Sequence, residues 1–88
     1  MTRSYPNPFN PETTISFAVK SRGAVSLAIY DVAGQLVRTL VDETLAEGSY
    51  SRVWDGRDNA GQPMSSGVYF YKFATNSSSD TKKIVLLK

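Results

Sequence analysis

Asp55-Gly56-Arg57-Asp58-Asn59-Ala60-Gly61 brings three oxygen-bearing side chains together within one short stretch. Hard cations such as Ca²⁺ take carboxylate and carbonyl oxygens at spacings of this kind. Arg57, however, sets a positive charge among those oxygens, and no bidentate Glu follows. The same residues suit a pair of tight turns in which Asp and Asn bond their own backbone, and this reading outweighs the metal. Asp55, Asp58 and Asn59 therefore stand as weak metal candidates, and no cofactor is expected. Ser65, Ser66 and Lys72 offer the elements of a Ser–Lys pair. Serines in a Gly-bounded loop are more often turn formers, and nothing nearby desolvates the lysine. Tyr50, Tyr71 and Trp54 can stack on sugar rings if exposed, but a two-layered fold needs large residues on its inner faces. Lys82, Lys83 and Lys88 make the end of the chain basic. Lysines on a terminal strand either block edge-to-edge aggregation or orient a docking partner.

The rest of the composition narrows these readings. The chain has 88 residues with no His and no Cys. A Ser-His-Asp triad, a Cys nucleophile, a disulfide framework and a His/Cys zinc site are thereby excluded. Ten Lys/Arg against eight Asp/Glu give a net charge of +2, too balanced for a nucleic-acid footprint. Ile84-Val85-Leu86-Leu87 is the longest aliphatic run, far short of a bilayer span, so no direct membrane insertion is expected. No signal peptide is read at the start, and Met1-Thr2-Arg3 reads as a start placed before a module cut from a longer protein. The length fits one domain with a single core and little spare volume for an enclosed active site.

The elements that would position these residues are strands. Residues 1–12 hold Pro6, Pro8 and Pro11 and read as an extended lead-in pinned by Phe9. Residues 13–88 carry the domain proper. Ile15, Phe17 and Val19 alternate with small or polar residues, as do Val25, Leu27 and Ile29. Gly34 suits a left-handed position in a short hairpin after Asp31. Leu36 to Val41 is a third strand of ambiguous parity, because Leu36/Leu40 and Val37/Val41 compete for the inner face. Thr44-Leu45-Ala46 is a candidate short strand. Ser49 to Asp55, Gly67 to Thr75 and Thr81 to Leu87 complete the set. Six or seven short strands without a helix predict an all-β, Ig-like antiparallel β-sandwich. Its expected core is Ile15, Phe17, Val19, Val25, Leu27, Ile29, Val53, Tyr69, Tyr71 and one of Ile84 and Val85. Ser65-Ser66-Gly67-Val68-Tyr69 has the spacing of a tyrosine corner, in which the hydroxyl bonds back to upstream backbone.

Five segments in order resemble one family. They are Tyr5 to Pro11, Ile29 to Val37, Trp54 to Asp58 with Gly61, Ser66 to Tyr71, and Lys82 to Lys88. Together they resemble the type A C-terminal sorting domain of the type IX (Por) secretion system. They are also similar to the Ig-like domain of flagellar hook-capping proteins. The resemblance implies a seven-stranded sandwich without catalytic activity that addresses a fused N-terminal cargo protein to the outer-membrane translocon. It implies recognition by a shuttle protein, processing by a sortase-like peptidase, and release or attachment at the cell surface by way of the periplasm. Carried onto this chain, recognition would rest on Gly67, Val68, Tyr69, Lys82, Lys83, Ile84, Val85 and Lys88. A structural spacer or assembly module and a carbohydrate-binding module are the competing readings.

Overall fold

The computed structural model describes residues 2–8 and 12–87. Phe9 and Lys88, to which the sequence assigns an anchoring and a recognition role, lie outside the described residues. Seven strands form: β1 (Thr2–Tyr5), β2 (Thr13–Val19), β3 (Gly23–Tyr30), β4 (Leu36–Leu45), β5 (Gly48–Trp54), β6 (Gly67–Ala74) and β7 (Ser79–Leu86). They make a three-stranded sheet in the order β1-β2-β5 and a four-stranded sheet in the order β4-β3-β6-β7. Every pairing is antiparallel, and no helix occurs among the described residues. The expected Ig-like sandwich is what the chain forms.

The inner faces follow the two-residue period of a pleated strand. Ile15, Phe17 and Val19 on β2 face Val25, Leu27 and Ile29 on β3, with Tyr69, Tyr71 and Phe73 from β6 and Ile84 and Leu86 from β7. On β5 the expectation fails by one residue. Val53 is 49% exposed, whereas Trp54 is fully buried. Two adjacent apolar residues on a strand cannot both point inward, and the indole removes more surface from water. Trp54 packs edge-on against Tyr69 at 5.3 Å between ring centroids, and its indole N–H donates to the Arg57 carbonyl. At β7, Ile84 rather than Val85 enters the core.

The seventh strand is not where the sequence placed it. Thr44 and Leu45 are the end of one long β4, and the additional strand is Thr2–Tyr5, inside the stretch read as a lead-in. Thr2 is 4% exposed. Its hydroxyl meets the Tyr71 hydroxyl at 2.8 Å and donates to Asp80 at 2.7 Å, so it belongs to the fold rather than preceding it. The ambiguous parity of β4 is resolved by two register shifts against β3, between Leu27/Ala28 and Ile29/Tyr30. Each shift inserts one unpaired residue and flips the side on which the next side chain emerges. Val37 and Val41 are thereby buried and Leu36 is left 53% exposed.

Candidate partner-binding face

The oxygen-rich stretch from Asp55 to Gly61 is a turn whose side chains are already committed. Asp55 Oδ1 accepts from the Arg57 amide, and Asp58 Oδ1 accepts from the amides of Ala60 and Gln62. Asn59 Oδ1 accepts from the Thr39 amide across the loop, and its own amide donates to the Val37 carbonyl. Asp55 also sits 3.6 Å from the Arg38 guanidinium. These oxygens organise backbone, as the turn reading has it. Among the described residues no group of three acidic or other ligating side chains gathers.

The Ser–Lys pair does not assemble. Ser65 and Ser66 precede β6, and the Ser65 carbonyl accepts the Tyr69 hydroxyl at 2.7 Å, closing the tyrosine corner. Lys72 stands exposed five residues along β6 from Gly67, roughly 16 Å at strand rise. The three aromatics considered as a sugar platform do not form one either. Trp54 and Tyr71 are fully buried, and Tyr50 lies stacked on Phe17 with its hydroxyl on the Ala46 carbonyl.

Burial pushes the phenol of Tyr69 above the ordinary tyrosine range, with Asp31 adding to the shift. Burial likewise raises Tyr71, where the bond with Thr2 opposes the shift and Asp80 reinforces it. Both are neutral structural hydroxyls near neutral pH.

The residues nominated by resemblance separate into three groups. Tyr69 and Ile84 point into the core, 6% and 0% exposed, so a partner meeting the folded domain reaches neither. Lys82 turns back across the edge of the sandwich. Its Nζ donates to the Thr2 carbonyl and lies 3.9 Å from Asp80. Val68, Lys83 and Val85 remain, and the ladder brings them together: Val68 pairs with Val85, and Phe70 with Lys83. Gly67 begins the same strand and, with φ of 150°, starts it in a conformation other residues rarely adopt.

These three belong to a larger surface, the outer face of the four-stranded sheet. Outward positions of β6 and β7 carry Val68, Phe70, Lys72, Thr81, Lys83 and Val85. The charged groups on this half of the face are the two lysines, and neither forms an ion pair among the described residues. Across β3, Tyr30 pairs with Phe70 on one side and with Leu36 on the other. A shallow depression of about 370 Å³ opens between Tyr30, Val32, Phe70, Lys72 and Thr81. A second, of about 220 Å³, adjoins it across Tyr30 and Lys72 and is floored by Ser26 and Ala28. Small residues on the central strand between larger neighbours make the trough. Sequence reading passed over Tyr30, Leu36 and Phe70, although the pairing of an apolar outward set across three strands is the signal that marks such a face.

The family model for the FlgD Ig-like domain matches residues 7–80. Among solved structures the chain is similar to dimeric latent PorU from Porphyromonas gingivalis, with a TM-score of 0.75 and 21% identity over 98% of this chain and 9% of that one. It is similar to PorZ, an essential bacterial surface component of the type IX secretion system of the same organism, with a TM-score of 0.68, 22% identity, and coverage of 99% and 11%. FlgD from P. aeruginosa matches with a TM-score of 0.63 and 26% identity over 84% of this chain and 57% of that one. The chain thus spans about a tenth of PorU and of PorZ. No curated protein matches it significantly. With a family model covering most of its length and a seven-stranded Ig-like sandwich, the chain belongs to the FlgD Ig-like domain family.

Proposed function

We propose that this domain is a non-catalytic address that directs a covalently joined cargo across an outer membrane through a type IX secretion system. The observation that carries the reading is the uncovered apolar and basic face around Val68, Phe70, Lys83 and Val85, presented on a rigid ladder by the last strand. A partner can seat an apolar surface on Val68 and Val85 while Lys83 and Lys72 fix its orientation by charge. The likeness in fold to domains of PorU and PorZ agrees with this reading, as do the five motif segments. The translocon, a shuttle protein and a sortase-like peptidase are the proposed partners, and the cell surface or the medium the proposed destination.

The test is a fusion of the chain behind a reporter that carries a signal peptide, expressed in a host with this secretion system. The reporter is expected outside the outer membrane. Retention of the intact, folded fusion in the periplasm overturns the reading. The kinship with FlgD favours a second one, a structural assembly module, and that outcome supports it.

A further inference from the structure

Among the described residues, one side chain, that of Asn7, bonds the outer edge of β7. Asn7 donates from its carboxamide nitrogen to the Lys83 carbonyl at 3.1 Å and accepts on Oδ1 from the Val85 amide at 3.0 Å. Those two backbone groups flank Ile84 on the side away from β6. They are the pair that one residue of a parallel neighbouring strand engages, one as acceptor and one as donor. The carboxamide is therefore a one-residue copy of a strand. Its neighbours on either side, Pro6 and Pro8, have no N–H of their own to add.

Asn59 makes the corresponding pair of bonds on the opposite edge of the same sheet. Its backbone N–H donates to the Val37 carbonyl and its Oδ1 accepts from the Thr39 amide, flanking Arg38. The two differ in how they are held. Asn59 is locked between the Asp58 turn and the Arg38–Asp55 ion pair. Asn7 is exposed, and the other bond holding residues 6–8, among the described residues, is that from the Thr13 hydroxyl to the Pro6 carbonyl. One cover is built in and the other is exposed.

We propose that the outer edge of β7 is a strand-docking edge held shut by Asn7, and that its occupant is an extended acidic segment of another protein lying parallel to β7. Exposed edges recruit strands through their free amides and carbonyls. The choice of an acidic partner follows from charge. β7 itself carries Lys82 and Lys83 against Asp80 alone. A second copy of β7 would set lysines against lysines, which opposes pairing. The inference shares β7 with the address reading but concerns the backbone edge rather than the sheet face. It is tested on the chain in solution and does not depend on export.

The experiment combines amide exchange with peptide binding. In Asn7→Ala, exchange of the Val85 amide should accelerate by about tenfold while melting stays cooperative. A short peptide alternating valine and glutamate should bind this variant about tenfold more tightly than the parent and restore protection at Val85. The same peptide with lysine for glutamate should not. Asn7→Gln keeps the carboxamide but shifts it by one methylene, and it carries the test should Asn7→Ala fail to fold. Unchanged Val85 exchange, equal binding to parent and variant, or equal binding of the lysine peptide each overturns the proposal. So does self-association of the variant in place of peptide binding.

Discussion

Asp31 and Asp58 make the same four hydrogen bonds. Each donates its amide to the carbonyl of the residue four positions on, Gln35 or Gln62, at 3.0 Å. Each accepts on its carbonyl from Gly34 or Gly61, also at 3.0 Å. Each takes two amides on Oδ1, from Ala33 and Gln35 or from Ala60 and Gln62, all at 2.9 Å. The sequences behind them are Asp-Val-Ala-Gly-Gln and Asp-Asn-Ala-Gly-Gln. One five-residue turn is thus used twice, first to close the β3–β4 hairpin and then to present Asn59 to the edge of β4. An aspartate whose oxygen gathers the amides of its own turn is the Asx logic that competes with metal binding.

The turn depends on its glycine. Gly34 and Gly61 have φ of 82° and 85°, and a Cβ built on either meets nothing within 4 Å. Any penalty for a side chain there is therefore backbone strain alone. Gly34→Val and Gly61→Val should each lower stability by about 1–2 kcal/mol, and Asn in either place by less, because Asn tolerates the left-handed region. Urea unfolding of the four variants measures this. Equal midpoints for Val and Asn variants would contradict the assignment.

Those turns show what could and could not be read from the residues. Gly34 was legible because a glycine near the end of a short gap between alternating runs, two residues before Leu36, has one common use. The repeat of the motif at Asp58 was equally open to view, but it lay within a stretch read for its oxygens. The edge strand β1 was not legible. Thr2-Arg3-Ser4-Tyr5 has no alternation of aliphatic residues, and its one buried side chain, Thr2, is polar and stabilised by Tyr71 and Asp80 from another sheet. The bulges of β4 were not legible either, since they are settled by which of Leu36 and Val37 the opposite sheet can cover.

Parity on β5 is the sharpest case. Tyr50 and Trp54 lie four residues apart, so they share a face, and Val53 must take the other. Trp54→Ala should cost about 3–5 kcal/mol, and Val53→Ala no more than about 0.5 kcal/mol. Thermal or chemical unfolding decides it. A large loss at Val53 would mean that its outward face is covered in solution.

Tyr69 and Tyr71 link the core to pH. Both phenols titrate above the ordinary value of about 10, chiefly because burial disfavours the phenolate. In the unfolded chain they ionise near that ordinary value. Above it the unfolded state binds fewer protons than the native one, so stability falls as pH rises. Below it their contribution is fully present. Unfolding midpoints should therefore hold up to about pH 10 and drop beyond it. Tyr69→Phe should blunt the drop, while costing about 1 kcal/mol at neutral pH through loss of the bond to the Ser65 carbonyl. A parent chain equally stable on both sides of that range would refute the argument.

Lys82 and Lys83 are neighbours in sequence with opposite duties. Alternation turns Lys82 to the side of β7 that faces β1, where its ammonium donates to the Thr2 carbonyl and approaches Asp80. Lys83 takes the other side, beside Phe70 and near Val85, with no ion pair among the described residues. A glutamate at 82 meets a carbonyl and a carboxylate and loosens β1, so Lys82→Glu should lower stability. A glutamate at 83 meets solvent on an apolar face and should leave the unfolding midpoint within about 0.5 kcal/mol of the parent. The export reading then requires the reverse order for transport. In the reporter fusion, Lys83→Glu should reduce passage across the outer membrane while the domain stays folded. Lys82→Glu should reduce it only as far as folding is lost, which a stabilising substitution elsewhere would restore. If folded Lys83→Glu is exported like the parent, the basic face is not read by the partner, and Lys83 is left with the protection of a sheet edge against aggregation.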